Sequence, residues 1–220
     1  ATSLLYDPAE AGPGEVAACG LSLARLEDLR QALNGVVADA VSIHFKPGCA
    51  LVPMAAFLAA WFEENDVEAT KARGAFHADP LGHWVGAGAL PVPYEVIMDQ
   101  LKASFELLDE ALPKYGLVGC SGIPFHMAGA SAVDELALVL AESVEYIRQL
   151  GERGIEPART APRTVFTFSL GSNFFMELAK VRAARIAWGK IQESFEIADP
   201  TAMRAVGRTG RFNKTAFDPY

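Results

Sequence analysis

Residues 164–191, TVFTFSLGSNFFMELAKVRAARIAWGKI, fall into two parts with different periodicities. Thr164–Leu170 is an uncharged run of β-branched and aromatic residues, the pattern of a buried strand. A Gly171-Ser172-Asn173 break follows, and from Asn173 to about Gln192 the pattern becomes helical, with Glu177 placed to meet Lys180 or Val181 one turn on. A buried strand that feeds a helix is the unit from which parallel α/β folds are built.

The same unit recurs along the chain. Residues 2–6 (TSLLY), 15–19 (EVAAC), 40–45 (AVSIHF), 73–77 (RGAFH), 116–120 (GLVGC) and 203–206 (MRAV) each read as a further buried strand. Between them, Leu23, Leu26, Leu29 and Leu33 recur at helical spacing, as do Met54, Leu58 and Phe62, and then Ile97, Leu101, Phe105 and Leu108. The clearest helix spans about Ser131 to Gln149. It sets Leu136, Leu140, Val144 and Ile147 on one side and Asp134, Glu142, Glu145 and Arg148 on another. No internal repeat appears beyond this rhythm.

Alternating β and α units imply a parallel sheet covered by helices, either doubly wound and open or closed into a barrel. A doubly wound sheet generally carries a glycine-rich nucleotide loop between strand and helix, and neither G-x-G-x-x-G nor G-x-x-x-x-G-K stands there. GHWVGAG at 82–88 follows an Asp79-Pro80 break and precedes Pro91 and Pro93, so it reads as a loop; EPARTAPR at 156–163 reads as another. The expectation is a (β/α)8 TIM-type barrel, whole or truncated, forming a single domain over residues 1–220.

Bulk properties narrow the function. With 51% apolar and 21% charged residues and a mean hydropathy of +0.18, the chain can bury a large core, yet no stretch is long enough to cross a bilayer. A net charge of -8 and a pI near 5.0 exclude a dominant basic face, so neither nucleic acid nor a membrane is an expected partner. Cys19, Cys49 and Cys120 are odd in number and widely spaced, which fits neither a disulfide framework nor a metal clip and points to a reducing cytoplasm. The amino-terminal ATSLLYDP has neither the basic start nor the apolar run of a signal peptide. Because the chain starts without methionine, flanking parts are expected outside it.

In barrels of this type reacting groups gather where strands end and βα loops begin. His44 and Lys46 end one expected strand, His77 and Asp79 another; Ser121 and His126 follow a third, Ser169 and Ser172 a fourth, and Arg208 comes after the last. His77, Asp79, His83 and His126 offer metal-ligand chemistry, but without His-Glu-x-x-His spacing or a second cluster no metal is assigned. Ser121-Gly122 lacks the flanking glycine of a nucleophile elbow. A neutral imidazole at His126 suits proton transfer near pH 7, although Phe125 and Met127 make a packed residue the commoner outcome. A Schiff-base lyase or aldolase would need a barrel lysine, for which Lys46 is the candidate.

AGASAVDELALVLAESVEYIRQLGERGI (128–155) and the stretch quoted at the outset resemble the adenosylcobalamin-dependent acyl-CoA mutases, above all the methylmalonyl-CoA mutase family. LLYDP near the start and TAFDPY at the end extend the likeness over essentially the whole chain. It implies the substrate-binding barrel of an enzyme that isomerises methylmalonyl-CoA and succinyl-CoA.

The departures from the family pattern concern its site. Catalytic members read Ser-Gly-Tyr-His-Met-Gln-Glu-Ala-Gly-Ala; counted back from Ala128-Gly129-Ala130, their tyrosine and histidine become Ile123 and Pro124, with His126 two residues late. Their Gly-Thr-Ile-Gln-Asn-Asp reads Gly74-Ala75-Phe76-His77-Ala78-Asp79, the carboxylate-clamping arginine becomes Ala87, and the histidine and glutamine of Arg-Ala-His-Cys-Gln become Val206 and Arg208, whereas Arg163 and Arg204 match. Losing an arginine fork and hydrogen-bond donors removes the grip on a substrate carboxylate and acyl group.

The likeness therefore implies the small, non-catalytic subunit, in a heterodimer with a catalytic large subunit, with a homo-oligomer as the other assembly. Adenosylcobalamin would be presented by another domain or subunit, since no Asp-x-His-x-x-Gly motif is present to supply the lower cobalt ligand. The alternative is an active mutase of altered preference in which His77, His126 and Arg208 replace the lost groups. His44, Lys46, Arg163, Arg204 and Arg208 are then the candidates for binding acyl-CoA, and His77 and His126 the candidates for catalysis.

Overall fold

The computed structural model describes residues 3–6, 21, 23–38, 40–68, 70–210 and 212. The chain forms two compact units, Ala1–Ala78 with Val92–Leu117, and Asp79–Pro91 with Val118–Tyr220. The strand expected at 15–19 and the terminal Asp-Pro-Tyr lie outside the described residues.

The first unit contains β1 (Ser3–Tyr6), α1 (Leu26–Ala32), β2 (Ser42–Phe45), α2 (Leu51–Glu64), β3 (Gly74–Ala78) and α4 (Tyr94–Ala111). β1 pairs parallel with β2 and β2 with β3; Leu5 lies opposite His44, and Ile43 and His44 opposite Gly74 and Ala75. Ile43 and Phe45 point into the core while Ser42 and His44 are half-buried, the period-2 alternation of a strand. Phe45 stacks on Phe76 at 5.8 Å and Phe76 meets Tyr115 at 5.3 Å, with Leu58, Phe62, Leu101 and Phe105 of α2 and α4 completing the core.

Gly74 fixes how closely β2 and β3 approach. Its φ is +153°, and an added Cβ would fall inside contact distance of the Ile43 carbonyl oxygen and 2.6 Å from the Tyr115 hydroxyl, which itself donates to that carbonyl at 3.1 Å. Only glycine fits there.

The second unit holds α3 (Pro80–Ala87), most of β4 (Gly116–Ser121), α5 (Ile123–Met127), α6 (Ala132–Glu152), α7 (Pro157–Thr160), β5 (Thr164–Leu170), α8 (Phe174–Ser194) and β6 (Arg204–Thr209). β4, β5 and β6 are parallel neighbours, with Ser121 opposite Thr167 and Ser169 opposite Arg208. Parallel strands in chain order need crossover connections, and each is bridged here by helix. α8 turns Lys180, Ala184, Trp188 and Gln192 inward at four-residue spacing, and Trp188 packs edge-on against Phe166 at 5.0 Å.

The chain is thus mixed α/β with parallel strands, and six of the seven expected strands stand within a few residues of their predicted places. Three readings need correction. GHWVGAG is the body of helix α3 rather than a loop: Asp79 is its N-cap, accepting from Gly82 N–H at 2.9 Å, Pro80 occupies the first turn, where it lacks no needed donor, and left-handed Gly88 ends it. Residues 156–163 are helical in part, as α7 and a 3-10 turn at Ala161–Arg163. On α6 the inward face carries Glu135, Val139, Glu142 and Tyr146, while Val144 is exposed; Glu135 is buried there with Lys180 and the Ser169 N–H as its partners. Among the described residues no helix is long and apolar enough to cross a membrane.

Candidate functional site

In each unit the polar side chains that matter lie at the carboxyl ends of the strands, where backbone groups run out of ladder partners and side chains must supply them. In the first unit these are His44 and His77. Because His44 lies opposite Ala75, His77 is its diagonal neighbour on the same face, and His44 Nδ1 stands 2.8 Å from His77 Nε2. His77 is 7% exposed and has φ +45°, a left-handed backbone inside a strand. Lys46 follows β2 directly and is half-buried.

The second unit builds a buried acidic cluster on the Asp79 turn. Asp79 Oδ1 accepts from Gly82 N–H at 2.9 Å and from the Tyr146 hydroxyl at 2.8 Å, and Oδ2 accepts from Ser121 N–H at 3.0 Å. Tyr146 Oη in turn accepts from Leu81 N–H at 2.8 Å. One carboxylate therefore ties the start of α3, the end of β4 and the middle of α6 together. Glu142 lies on the same inward face of α6, only 6% exposed. Burial, and next the charge of Asp79, push its carboxyl up to about 10 from an ordinary 4.5; Ser121 N–H, which pulls the other way, is committed to Asp79. Glu142 is consequently a neutral acid at pH 7. Burial chiefly, with Glu142 and Asp79 adding to it, also raises the Cys120 thiol well above its usual range, so Cys120 is no thiolate nucleophile.

A pH dependence of stability follows. The folded chain keeps on Glu142 a proton that the unfolded chain releases above about pH 4.5, so stability falls as pH rises from there to about 10. Glu142→Gln is expected to remove that slope and to stabilise the protein at pH 7 by roughly 2–3 kcal/mol. Urea unfolding of both proteins at pH 5, 7 and 9 checks it; identical pH slopes would refute the assignment.

A second buried group closes the end of β5. Glu135 Oε1 accepts from Ser169 N–H at 2.6 Å, and Lys180 Nζ donates to Glu135 Oε2 at 2.7 Å and to the Ser169 carbonyl at 2.6 Å, with Glu177 Oε2 also 2.6 Å away. Two acceptors take ammonium hydrogens and Glu177 adds an ion pair, so the lysine serves as a tie between α6, α8 and the end of β5. Gly122 makes room for it, because an added Cβ would run into the Glu135 carboxylate.

The sequence-derived candidates are distributed as follows. His44 and His77 meet. His126 sits in α5, its ring edge-on to Phe212 at 5.1 Å and its Nε2 buried without a hydrogen-bond partner among the described residues. His83 is exposed on α3, and no group of three or more metal-ligating side chains assembles among the described residues. Arg163 and Arg204 stand at the amino-terminal ends of β5 and β6, where Arg204 donates to the Pro162 carbonyl at 3.4 Å, whereas Arg208 is near the carboxyl end of β6. Pro124 occupies the first turn of α5 and Ala87 the last residue of α3.

Sequence reasoning missed Glu135, Glu142, Tyr146 and Lys180 as site-shaping groups. The signal was present: positions 135, 139, 142 and 146 form one helical stripe, which charges made look like a solvated face.

A family model described as methylmalonyl-CoA mutase matches residues 1–220. The chain is 31% identical over 209 residues to the methylmalonyl-CoA mutase large subunits of Streptomyces virginiae and Porphyromonas gingivalis, covering 94% of this chain and 28% and 29% of those proteins. It is likewise 31% identical to the methylmalonyl-CoA mutase of Rhizobium meliloti, with 94% and 29% covered. The chain thus spans less than a third of the length of these curated relatives.

Proposed function

Since the chain belongs to the methylmalonyl-CoA mutase family, we propose that it is one domain over residues 1–220, part of a (β/α)8 barrel that works as the small, non-catalytic partner of a catalytic mutase subunit acting on methylmalonyl-CoA and succinyl-CoA in the cytoplasm. The observation that carries this reading is Pro124 in the first turn of α5, at the position where the resemblance places a hydrogen-bonding histidine. Proline has no side-chain donor, and His126 is packed against Phe212 instead of replacing it. Ala87, at the position of the family's arginine, likewise offers no cation for a carboxylate.

Adenosylcobalamin belongs to this reading only through a partner or another segment. A lower cobalt ligand needs an imidazole in an Asp-x-His-x-x-Gly setting, and the four histidines here do not fit: Ser42, Ala75, Leu81 and Pro124 stand where the aspartate would precede His44, His77, His83 and His126. No step is therefore assigned to the cofactor on this chain.

The His44–His77 pair and the 31% identity to large subunits favour a second reading, an active mutase of altered acyl-CoA preference. Assaying the full-length protein with adenosylcobalamin and methylmalonyl-CoA, with and without a co-expressed large subunit, separates the two. The partner reading expects turnover only with the large subunit present; turnover by the protein alone overturns it.

A further inference from the structure

We propose that His44 and His77 form one proton-sharing unit that binds a carboxylate or carbonyl oxygen at the end of β2, with His44 as the contacting group and His77 as the residue that positions and charges it. The 2.8 Å contact between His44 Nδ1 and His77 Nε2 obliges one ring to donate and the other to accept, so each ring fixes the tautomer of the other. When the unit takes up one further proton, the bond persists and both outer nitrogens become N–H donors. That form suits a single anionic oxygen.

Burial orients the unit. His77 Nδ1 is buried and His77 is 7% exposed, whereas His44 is half-buried, so exchange with a ligand from solvent runs through His44. The backbone gives independent support: a left-handed φ of +45° at a non-glycine residue within a strand costs on the order of 1–3 kcal/mol and persists only where its surroundings require it. Here it accompanies the alignment of one imidazole on the other. The inference goes beyond the partner-subunit reading, because the site binds whether or not the chain turns anything over.

The test uses the full-length protein labelled with 15N-histidine, its spectra assigned through His44→Gln. A nitrogen–nitrogen coupling across the His44–His77 hydrogen bond is expected in the native protein; its absence overturns the proposal whatever any variant does. Sodium acetate is expected to shift His44 Nε2 saturably while sodium chloride does not, and His77→Gln to weaken acetate binding on the order of tenfold. Saturation by neutral acetamide instead would identify the bound group as a carbonyl. Equal responses to acetate and chloride, or none to acetate and acetamide, overturn the site.

Discussion

Lys180→Met is expected to cost about 3–5 kcal/mol of stability, because it leaves Glu135, fully buried, and the nearby Glu177 facing one another without their shared cation. The loss is local in origin but wide in effect: Ser169 sends both its N–H and its carbonyl into this group, so the end of β5 is released from α6 and α8 together. The control is the double variant Glu135→Gln with Lys180→Met, which removes the buried charge as well as its partner and is expected to recover at least half of the loss. Equilibrium denaturation of the two single variants and the double variant gives the coupling directly. A single variant that loses under about 1 kcal/mol would mean that water reaches the ammonium group and that the tie is not a buried one.

Gly74→Ala is the second large effect, with an expected cost of about 3–5 kcal/mol from overpacking and backbone strain combined. The methyl group would have to displace the Ile43 carbonyl, which belongs to the β2 ladder and also accepts from Tyr115. Relief of strain by a moving side chain is unavailable, since the nearest obstacle is backbone. Tyr115→Phe distinguishes the causes: it deletes the hydroxyl but not the carbonyl, so Gly74→Ala in that background should remain severely destabilised. Near-native melting of that double variant would place the obstruction at the hydroxyl instead.

The fold was legible from the uncharged runs. TVFTFSL, GLVGC and AVSIHF lack charges and carry β-branched or aromatic residues, and this pattern survives in any context that buries both faces. α3 was hidden because Pro80 and three glycines within 82–88 read as breakers, while an N-cap carboxylate, a proline in the first turn and a glycine after the last are a helix's own punctuation. The site was legible only in part. His44 and His77 were each marked by strand-end position, but their meeting depends on strand register and an unusual φ, neither of which a sequence states. Glu142 was set on the charged side of its helix by the rule that acids face water, a rule suspended where a retained proton cancels the charge.

The aromatic packing has a practical outcome for measuring how this chain melts. Of its three tryptophans, Trp61 is enclosed at 5% exposure in the first unit, Trp188 at 1% in the second, and Trp84 is half open to solvent. With Trp84 and either of the others changed to phenylalanine, the intrinsic emission of the remaining indole becomes a spectroscopic gauge of one unit alone. Coincident transitions in the two single-indole proteins would mean a single cooperative event, and displaced ones would reveal two events in succession.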